Sequence, residues 1–387
     1  MATFGIEEEY VFLDPVTLEP VSAANQVYRR LGISRVESPQ VQREYLVCQL
    51  ERTTTVCLTL DEAVRDLDDF RRRLRAAAES EGVLVAATGA APRLAGAGLV
   101  TDKQRYHAVS ANYRALVRQH FLNGLHVHVG IPDRETGVRV MNRIRRWMPA
   151  LVALGGNSPF WDNADTGFAS WRTINLQRWT THGCPPVFAD AADYERRTTG
   201  LLGIGGHTER ALLAWNIRLS DVHPTIEVRA PDSQLEVWHS VLLAAIVRGL
   251  ASAAMADGDP GPGPEPELLN ASLWHAARDG ISGGLVDPDT GQMQPAREVV
   301  DRLMEFVAPA LAEEGDLSTV TGWLGRLFEE GTGAERQRAA FATGGIPTLA
   351  ALLRSSLSSW LPAAGGAPTP TGPHTLGSHN VNEVEAW

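Results

Sequence analysis

The chain has 387 residues, 44% of them hydrophobic and 21% charged, which is the composition of a globular protein that buries a substantial core. Its formal net charge of −11 at pH 7 argues against a nucleic-acid partner, because nucleic acid requires a basic surface. Three cysteines without a C-x-x-C pair, no signal-peptide pattern and no apolar run of about 18 residues predict a cytoplasmic protein without a disulfide framework or a membrane span.

The first predicted element is a strand at residues 3–13, TFGIEEEYVFL. Side chains alternate between the two faces of a strand, so one face carries Glu8 and four large apolar residues, Phe4, Ile6, Tyr10 and Phe12. We expect Tyr10 to lie in the core and Glu8 to pair with a core arginine. Glu7 and Glu9 share the other face, about 7 Å apart, and repel each other. A positive group is therefore expected beside them.

Six elements are predicted next: a short helix at 22–31, a looser strand within 41–57, the clearest helix at 58–82, a short strand at 83–88, a helix at 103–121 and a strand at 124–131. The helix at 58–82 has apolar residues at helical spacing, with Asp61 as its expected N-cap and Gly82 at its end.

Residues 134–154 form another predicted amphipathic helix, and the stretch 155–188 that follows is rich in Trp, Gly, Pro and Asn. A loop of this length inside a compact domain is usually functional or disordered. Its aromatic clusters argue against disorder. Two alternatives remain, a packed cover on the core and a lid that shapes a substrate pocket, and we favour the lid.

A strand at 224–230 and a nearly wholly apolar, buried helix at 234–257 precede a Pro/Gly connector at 257–267. Beyond it the predicted elements are all helices, at 268–279, 295–313, 316–330, 334–342 and 346–360. We predict that the helical part 268–360 wraps the same core, so that 1–360 is a single catalytic domain rather than two. The tail 361–387, rich in Pro, Gly, Thr and Ser, is expected to be flexible.

Four predicted strands have one apolar face, and their polar faces carry unusual residues: Glu7 and Glu9; Gln49, Glu51 and Thr53; His126 and His128; Thr225, Glu227 and Arg229. One interpretation is a set of antiparallel strands with solvated outer faces. The other is a single sheet whose polar face binds divalent metal ions, because Glu and His recur at the same period. Carboxylate oxygens suit Mg²⁺ or Mn²⁺, and the histidines slightly favour Mn²⁺ over Mg²⁺.

Metal ions on such a face suggest phosphoryl chemistry on ATP, in which the ions neutralise charge as a phosphoryl group moves. The sequence has neither a P-loop nor a protein-kinase signature, so a nucleotide site would have another architecture. The candidate phosphate-binding residues are Arg229, Arg336 and Arg338. For the last two, a solvated helix face is an equal alternative.

Seven motifs occur in the order found in one family: GIEEEY at 5–10, EYLVCQLE at 44–51, GLHVHVG at 124–130, NSPFW at 157–161, DTGFASWR at 165–172, PTIEVR at 224–229 and GTGAERQR at 331–338. From about residue 3 to residue 342 the sequence resembles the type 2 glutamate–cysteine ligases, also called carboxylate–amine ligases, of the glutamine synthetase superfamily. The resemblance implies an α+β fold, with a glutamine synthetase-like curved antiparallel β-sheet that forms a half-open funnel and has helices packed on the outside.

The resemblance also implies ATP- and Mg²⁺-dependent amide formation through an acyl phosphate, by default from glutamate and L-cysteine. It places metal ligands at Glu7, Glu9, Glu51, His126 and Glu227. It places Arg229 at the transferring phosphoryl group, with Glu44 as an adjacent catalytic candidate and His128 as a nucleotide-binding one. The candidate substrate-binding residues are Arg172, Trp171 and Thr53.

Other functions remain open at this point. His223 and Thr180 depart from the family's usual residues in loops that select substrates, so another acid and amine pair is an alternative. A metal-dependent amide hydrolase built on the His126-x-His128 pair is a second, and a catalytically silent nucleotide-binding relative is a third. The expected partners are small-molecule carboxylate and amine substrates, and assembly into a homo-oligomer is left open.

Overall fold

The computed structural model describes residues 2–32, 40–205, 207–256 and 263–357. Within these ranges the strands are β1 (Phe4–Leu13), β2 (Val41–Arg43), β3 (Gln49–Thr53), β4 (Leu84–Ala86), β5 (Leu125–Gly130), β6 (Phe160–Trp161), β7 (Ala164–Asp165), β8 (Ile217–Leu219), β9 (Thr225–Val228), β10 (Gly284–Val286) and β11 (Met293–Pro295). The four alternating segments of the sequence are therefore strands, as predicted.

The helices in the same ranges are α1 (Ala24–Arg30), α2 (Leu60–Ser80), α3 (Gln104–Tyr113), α4 (Ala115–Arg118), α5 (Arg134–Ile144), α6 (Met148–Leu154), α7 (Trp171–Leu176), α8 (Ala191–Gly203), α9 (Val237–Ala256), α10 (Pro266–Asp279), α11 (Ala296–Glu314), α12 (Leu317–Glu330) and α13 (Gly333–Ser356). Short 3₁₀ helices occur at Arg145–Trp147, Arg210–Leu212 and Gly280–Ser282.

One seven-stranded sheet is built around β1 in the order β2-β3-β1-β5-β9-β8, with β4 also paired to β1. Its ladders are all antiparallel. Strand β1 is long enough, at ten residues, to pair with β3, β4 and β5. The first strand of the chain therefore pairs with three strands that are far apart in sequence.

The apolar face of the sheet is covered by helices, of which α9 packs on β1 and β5 with α2 and α5 beside it. Helix α9 is the one described helix that is long and apolar enough to cross a membrane by those two measures. However, 78% of its most apolar window is buried inside the protein. Its mean hydropathy is therefore explained by its place in the core, as predicted for the 234–257 segment.

Glu8 points to this apolar face, away from Glu7 and Glu9, because successive strand residues alternate. Its carboxylate accepts hydrogen bonds from Arg71 of α2, 2.9 Å from Nε and 2.6 Å from Nη2. Both side chains are fully buried, and the Tyr10 hydroxyl also donates to Glu8. The predictions of a core arginine for Glu8 and a core position for Tyr10 are confirmed.

Several predicted boundaries are corrected. The N-cap of α2 is Thr59, which forms a capping box with Glu62, and not Asp61. The predicted helix at 103–121 is divided at Arg114, whose φ is 54°, and the helix at 134–154 contains a 3₁₀ turn. The β10–β11 hairpin was not predicted, because its strands are only three residues long.

The C-terminal helices pack on the same core as the sheet. Phe4 of β1 and Val307 of α11 belong to one hydrophobic cluster, and α11 and α12 both contact α9. Helix α13 bends at Gly344–Gly345, where two helices were predicted. The predicted tail 361–387 and residues 257–262 of the predicted connector lie outside the described residues.

Candidate active site

The register of the sheet brings the polar faces of five strands together. Glu9 is opposite Glu51 across β1 and β3, and Glu7 is opposite His126 across β1 and β5. Glu227 of β9 is opposite His128 on one side and Arg218 on the other. Directly opposed residues lie on the same face of a sheet, so residues far apart in sequence become neighbours. They line one cavity of about 310 Å³.

The first cluster in this cavity combines Glu7, His126 and Glu227, whose ligand atoms lie within 4.8 Å of one another. Nδ1 of His126 is 3.0 Å from Oε2 of Glu7 and 3.9 Å from Oε1 of Glu227. His128 approaches the same carboxylate from the next position of β5, with Nε2 3.2 Å from Oε1 of Glu7. Two carboxylates and one imidazole form a ligand set suited to Mn²⁺ or Mg²⁺.

The second cluster contains three carboxylates, Glu9, Glu44 and Glu51, again with ligand oxygens within 4.8 Å of one another. Glu9 and Glu51 come from paired strands, and Glu44 follows the end of β2. The two clusters are adjacent, because Nε2 of His126 lies 3.8 Å from Oε1 of Glu9. An all-oxygen set of this kind suits Mg²⁺.

The first cluster is balanced by two arginines. Arg218 bonds Glu227 from Nε at 2.8 Å and from Nη2 at 3.1 Å, and Arg229 donates to the same carboxylate. Burial alone would raise the pKa of Glu227, but the charges of Arg218 and Arg229 lower it well below its ordinary value. Glu7 is likewise held ionised despite its burial, because the charge of His128 and hydrogen bonds from both histidines lower its pKa.

The second cluster is not balanced in this way. Burial and the charge of Glu44 raise the pKa of Glu9 to about 7. Burial and repulsion from Glu7 and Glu44 raise the pKa of Glu51 well above its ordinary value. Buried like charges at this distance are costly unless a cation or a proton offsets them. The carboxylates therefore fit a divalent cation.

His126 supports the same fit. Its Nε2 atom is buried, has no hydrogen-bond partner among the described residues, and faces the second cluster. Burial and the nearby charge of Arg229 lower the pKa of His126 to about 4, so the imidazole is neutral at pH 7. A neutral imidazole with a buried lone pair is the form that ligates a metal ion.

The structure thus brings eight predicted residues and, as a ninth, the catalytic candidate Glu44 to one cavity. The predicted residues that line it are Glu7, Glu9, Glu51, Thr53, His126, His128, Glu227 and Arg229, of which Thr53 and His128 stand beside the clusters. Glu44 lies within the carboxylate cluster, where metal ligation is open to it as well as the catalytic role assigned from the sequence.

Arg172 and Trp171, the other two candidate substrate-binding residues, do not line the metal-binding cavity. The Arg172 guanidinium lies at an adjoining side cavity of about 70 Å³, but it donates to the backbone carbonyls of residues 229–231. Its geometry is that of a brace for the chain after β9 and not that of a free carboxylate clamp. The Trp171 ring packs on Phe168 at 5.3 Å and lines neither cavity in the described part of the chain.

Arg336 and Arg338 are not brought to the cavity. Arg336 of α13 bonds Glu236 through Nη1 at 2.6 Å and Nη2 at 2.9 Å, and Arg338 pairs with Asp165 at 2.7 Å. Both arginines fasten α13 to the rest of the protein. The geometry does not support the nucleotide-binding role predicted for them. The alternative of a solvated helix face does not describe them fully either, because each arginine has a specific carboxylate partner.

The sequence analysis missed several residues that line the cavity. Arg218 alternates with Ile217 and Leu219 in β8, so the two-residue period could have identified it. Tyr45, Tyr106 and His120 reach the cavity from loops and a helix, and no periodic pattern marks them. The late histidines needed for a hydrolase are elsewhere: His239 bonds the Leu154 carbonyl in the core, and His275 lies on α10.

Comparison with known proteins identifies the family of this chain. The sequence model described as glutamate-cysteine ligase family 2 matches residues 3–351. A protein of Salinispora tropica, provisionally named glutamate–cysteine ligase 2, is 39% identical over 353 residues, covering 90% of this chain and 93% of the relative. A protein of Saccharopolyspora erythraea, provisionally named glutamate–cysteine ligase 2-1, is 40% identical over 341 residues, covering 88% and 90%.

Solved structures share the fold at low sequence identity. The glutamate–cysteine ligase of Francisella tularensis in complex with AMP superimposes with a TM-score of 0.69 at 14% identity, covering 94% of this chain and 90% of that one. A bifunctional glutathione synthetase of Pasteurella multocida gives a TM-score of 0.67 at 15% identity, covering 92% and 52%. The predicted α+β architecture, a glutamine synthetase-like antiparallel sheet with helices outside, is confirmed. The chain therefore belongs to glutamate–cysteine ligase family 2 and is an ATP-dependent ligase that forms amide bonds.

Proposed function

We propose that this ligase uses Mg²⁺ and ATP to convert the γ-carboxylate of L-glutamate into an acyl phosphate, which the amine of L-cysteine then attacks to give γ-glutamylcysteine, ADP and phosphate. The observation that supports this most is the shared cavity with two adjacent ligand clusters, Glu7–His126–Glu227 and Glu9–Glu44–Glu51. So many anionic ligands in one place have a purpose only where cations bring a polyanion such as ATP into an acidic protein.

The proposed reaction has two balanced steps. A carboxylate oxygen of the acid attacks the γ-phosphorus of ATP, and the bond from that phosphorus to the bridging oxygen of ADP breaks. The amine nitrogen then attacks the acyl carbon, the carbon–oxygen bond to phosphate breaks, and the amine loses a proton. Bound Mg²⁺ would be held by the two clusters and would neutralise phosphate charge.

The residues of the chain act through position and charge. Arg229 remains charged, because burial is outweighed by the Glu227 carboxylate, which raises the Arg229 pKa. Its guanidinium lies beside both His126 and Glu227, where planar donors stabilise the charge of a moving phosphoryl group. Arg218 holds Glu227 in place from β8.

A screen of the wild-type protein tests this proposal. Purified protein is mixed with ATP, Mg²⁺ and pairs drawn from the amino acids and simple amines, and phosphate release is compared with amide formed, by mass spectrometry. We expect amide and phosphate in equal amounts only when ATP is present, with glutamate and cysteine the best pair. A different best pair would correct the substrates, whereas amide cleavage without ATP would favour the hydrolase.

We further propose a cytoplasmic protein that works on small molecules and does not require a nucleic acid or a membrane. The net charge of −11 supports the first exclusion, and the burial of α9 supports the second.

A further inference from the structure

The side cavity of about 70 Å³ adjoins the metal-binding cavity, with which it shares Glu9, Tyr45, His120, His126, Ala211 and Arg229. The other side of its wall is mostly apolar. It is formed by the end of α7 and the loop after it, and by the 3₁₀ helix at Arg210–Leu212 and the residues that follow: Leu176, Trp179, Leu212, Leu213 and Ala214. Apart from the residues that it shares with the metal-binding cavity, none of the roles proposed so far uses this side cavity.

Two hydrogen-bonding atoms in its wall are unsatisfied. Asn216 is only 6% exposed, and its buried Oδ1 atom has no hydrogen-bond partner within the described ranges. Nδ1 of His120 is likewise buried and lacks a partner among the described residues. Buried polar atoms are almost always satisfied, so two such atoms in one small cavity need a hydrogen-bonding partner there, which is water when the cavity is empty and a polar group of the ligand when it is filled.

The backbone of Asn216 and the ring of His120 are both held in place. The backbone of Asn216 accepts a hydrogen bond from the Arg229 amide at 2.7 Å and donates to the Gly183 carbonyl at 2.9 Å. The His120 ring is clamped edge-on between two aromatic rings, 5.7 Å from that of Tyr45 and 5.2 Å from that of Trp179. Fixed groups of this kind position a substrate at low entropic cost.

The chemistry of the two atoms selects an amine. The amide oxygen of Asn216 accepts hydrogen bonds, and the neutral His120 imidazole accepts at Nδ1 in the tautomer that has its proton on Nε2. A ligand that donates hydrogen bonds therefore satisfies both atoms. Burial and the charges of Arg172 and Arg178 lower the pKa of His120 to about 3, which leaves it neutral. A carboxylate would place its lone pairs against these acceptors, whereas an amine would donate to both.

The charge around the cavity favours the reactive form of that amine. Arg172 and Arg229 both line it, and nearby cations disfavour an ammonium ion relative to the free base. Only the free base attacks an acyl group. Glu9 is the carboxylate in the wall, and it stands at the junction with the metal-binding cavity.

We propose that the side cavity is the binding site of the amine substrate, with Asn216 and His120 accepting its N–H groups and the apolar wall selecting a small uncharged side group. This inference rests on the proposed ligase function and adds to it the site and class of the second substrate. The amine would then meet the acyl phosphate at the junction of the two cavities.

The test compares Asn216→Leu and His120→Phe, which keep volume and remove the acceptor, with wild type. A matched control is His107→Phe, because His107 lies on α3 with a side chain that is 58% exposed and lines neither cavity of the described chain. The assay uses L-glutamate, ATP and Mg²⁺ with L-cysteine, or with the best acid and amine from the screen. A parallel assay replaces the amine with saturating hydroxylamine, which traps the acyl phosphate as a hydroxamate.

We expect the two variants to raise the KM of the amine about tenfold or more, while the KM of the acid, the KM of ATP and the hydroxamate rate stay within about twofold of wild type. Asn216→Asp, which keeps an accepting oxygen, should retain an amine KM close to wild type, and His107→Phe should resemble wild type throughout.

The inference is overturned if Asn216→Leu and His120→Phe keep the wild-type KM for the amine, or if they raise the KM of the acid as much as that of the amine. It is also overturned if Asn216→Asp raises the KM of the amine as much as Asn216→Leu does. Absence of hydroxamate from the wild-type protein is a different result, because it contradicts the proposed function itself. Thermal unfolding of each variant separates loss of binding from loss of fold.

Discussion

At the scale of single residues, three consecutive glutamates on β1 have opposite environments. Glu8 is neutralised by Arg71 in the core, whereas Glu7 and Glu9 line the cavity. The cause is the two-residue period of the strand. Substitution of Glu8 should therefore affect stability, whereas substitution of Glu7 or Glu9 should affect activity.

We predict that Glu9→Gln lowers ATP-dependent amide formation about a hundredfold or more, because it removes a metal-ligating charge, yet does not lower the unfolding temperature, because it relieves repulsion with Glu44. Glu8→Ala should lower the free energy of unfolding by about 3–5 kcal/mol, because Arg71 is left buried without its partner. Phosphate release and thermal unfolding measure the two effects. Equal loss of stability in both variants would contradict the assignment of faces.

The sequence identified most of the candidate ligands that lie on strands, because Glu51, His126 and Glu227 follow a fixed alternation, but it missed Arg218 of β8. It did not predict that Arg336 and Arg338 form ion pairs away from the cavity. Each is fastened by a carboxylate far away in sequence, Glu236 or Asp165, and no local pattern reveals a partner at that distance. Contacts of this kind depend on the tertiary fold.

At the scale of elements, the start of β5 depends on a glycine. A Cβ atom at Gly124 would lie 2.5 Å from Nη2 of Arg172 and 2.8 Å from Nε2 of His126. The Gly124 amide also donates to Oε2 of Glu9 at 2.6 Å. The close approach of backbone, imidazole and guanidinium is therefore possible only without a side chain.

We predict that Gly124→Ala lowers activity about a hundredfold, because it displaces His126 from the ligand cluster and small misplacements of reacting groups are costly. Gly200→Ala in α8 is the matched control, since nothing lies within 4 Å of the added Cβ, and it should leave activity unchanged and stability equal or higher. Steady-state rates and unfolding temperatures decide the result, and a fully active Gly124→Ala protein would refute the packing argument.

The elements themselves were largely predictable, and their ends were not. Alternation and helical spacing located β1, β5, β9, α2 and α9. The capping residue Thr59 was missed because Asp61 is also an acceptable cap. The break at Arg114, whose φ is 54°, was missed because no glycine or proline marks it in the sequence.

At the scale of the whole molecule, the C-terminal helices share a core with the sheet. Leu250 of α9 and Val307 of α11 belong to the same cluster as Phe4 of β1, and a Cβ on Gly249 would lie 3.1 Å from Cβ of Val307. We predict a single cooperative unfolding transition by calorimetry for the full chain, with equal calorimetric and van't Hoff enthalpies. Two separated transitions would show that the helical part is a second domain.

The central claim is that the cavity activates a carboxylate by phosphorylation, and isotope transfer tests it most directly. Wild-type protein is supplied with unlabelled ATP, Mg²⁺, an amine and an acid whose carboxylate contains oxygen-18, and the released phosphate is analysed by mass spectrometry. An acyl phosphate predicts one labelled oxygen in each phosphate formed with the amide. Unlabelled phosphate, or label found in AMP, would contradict the account.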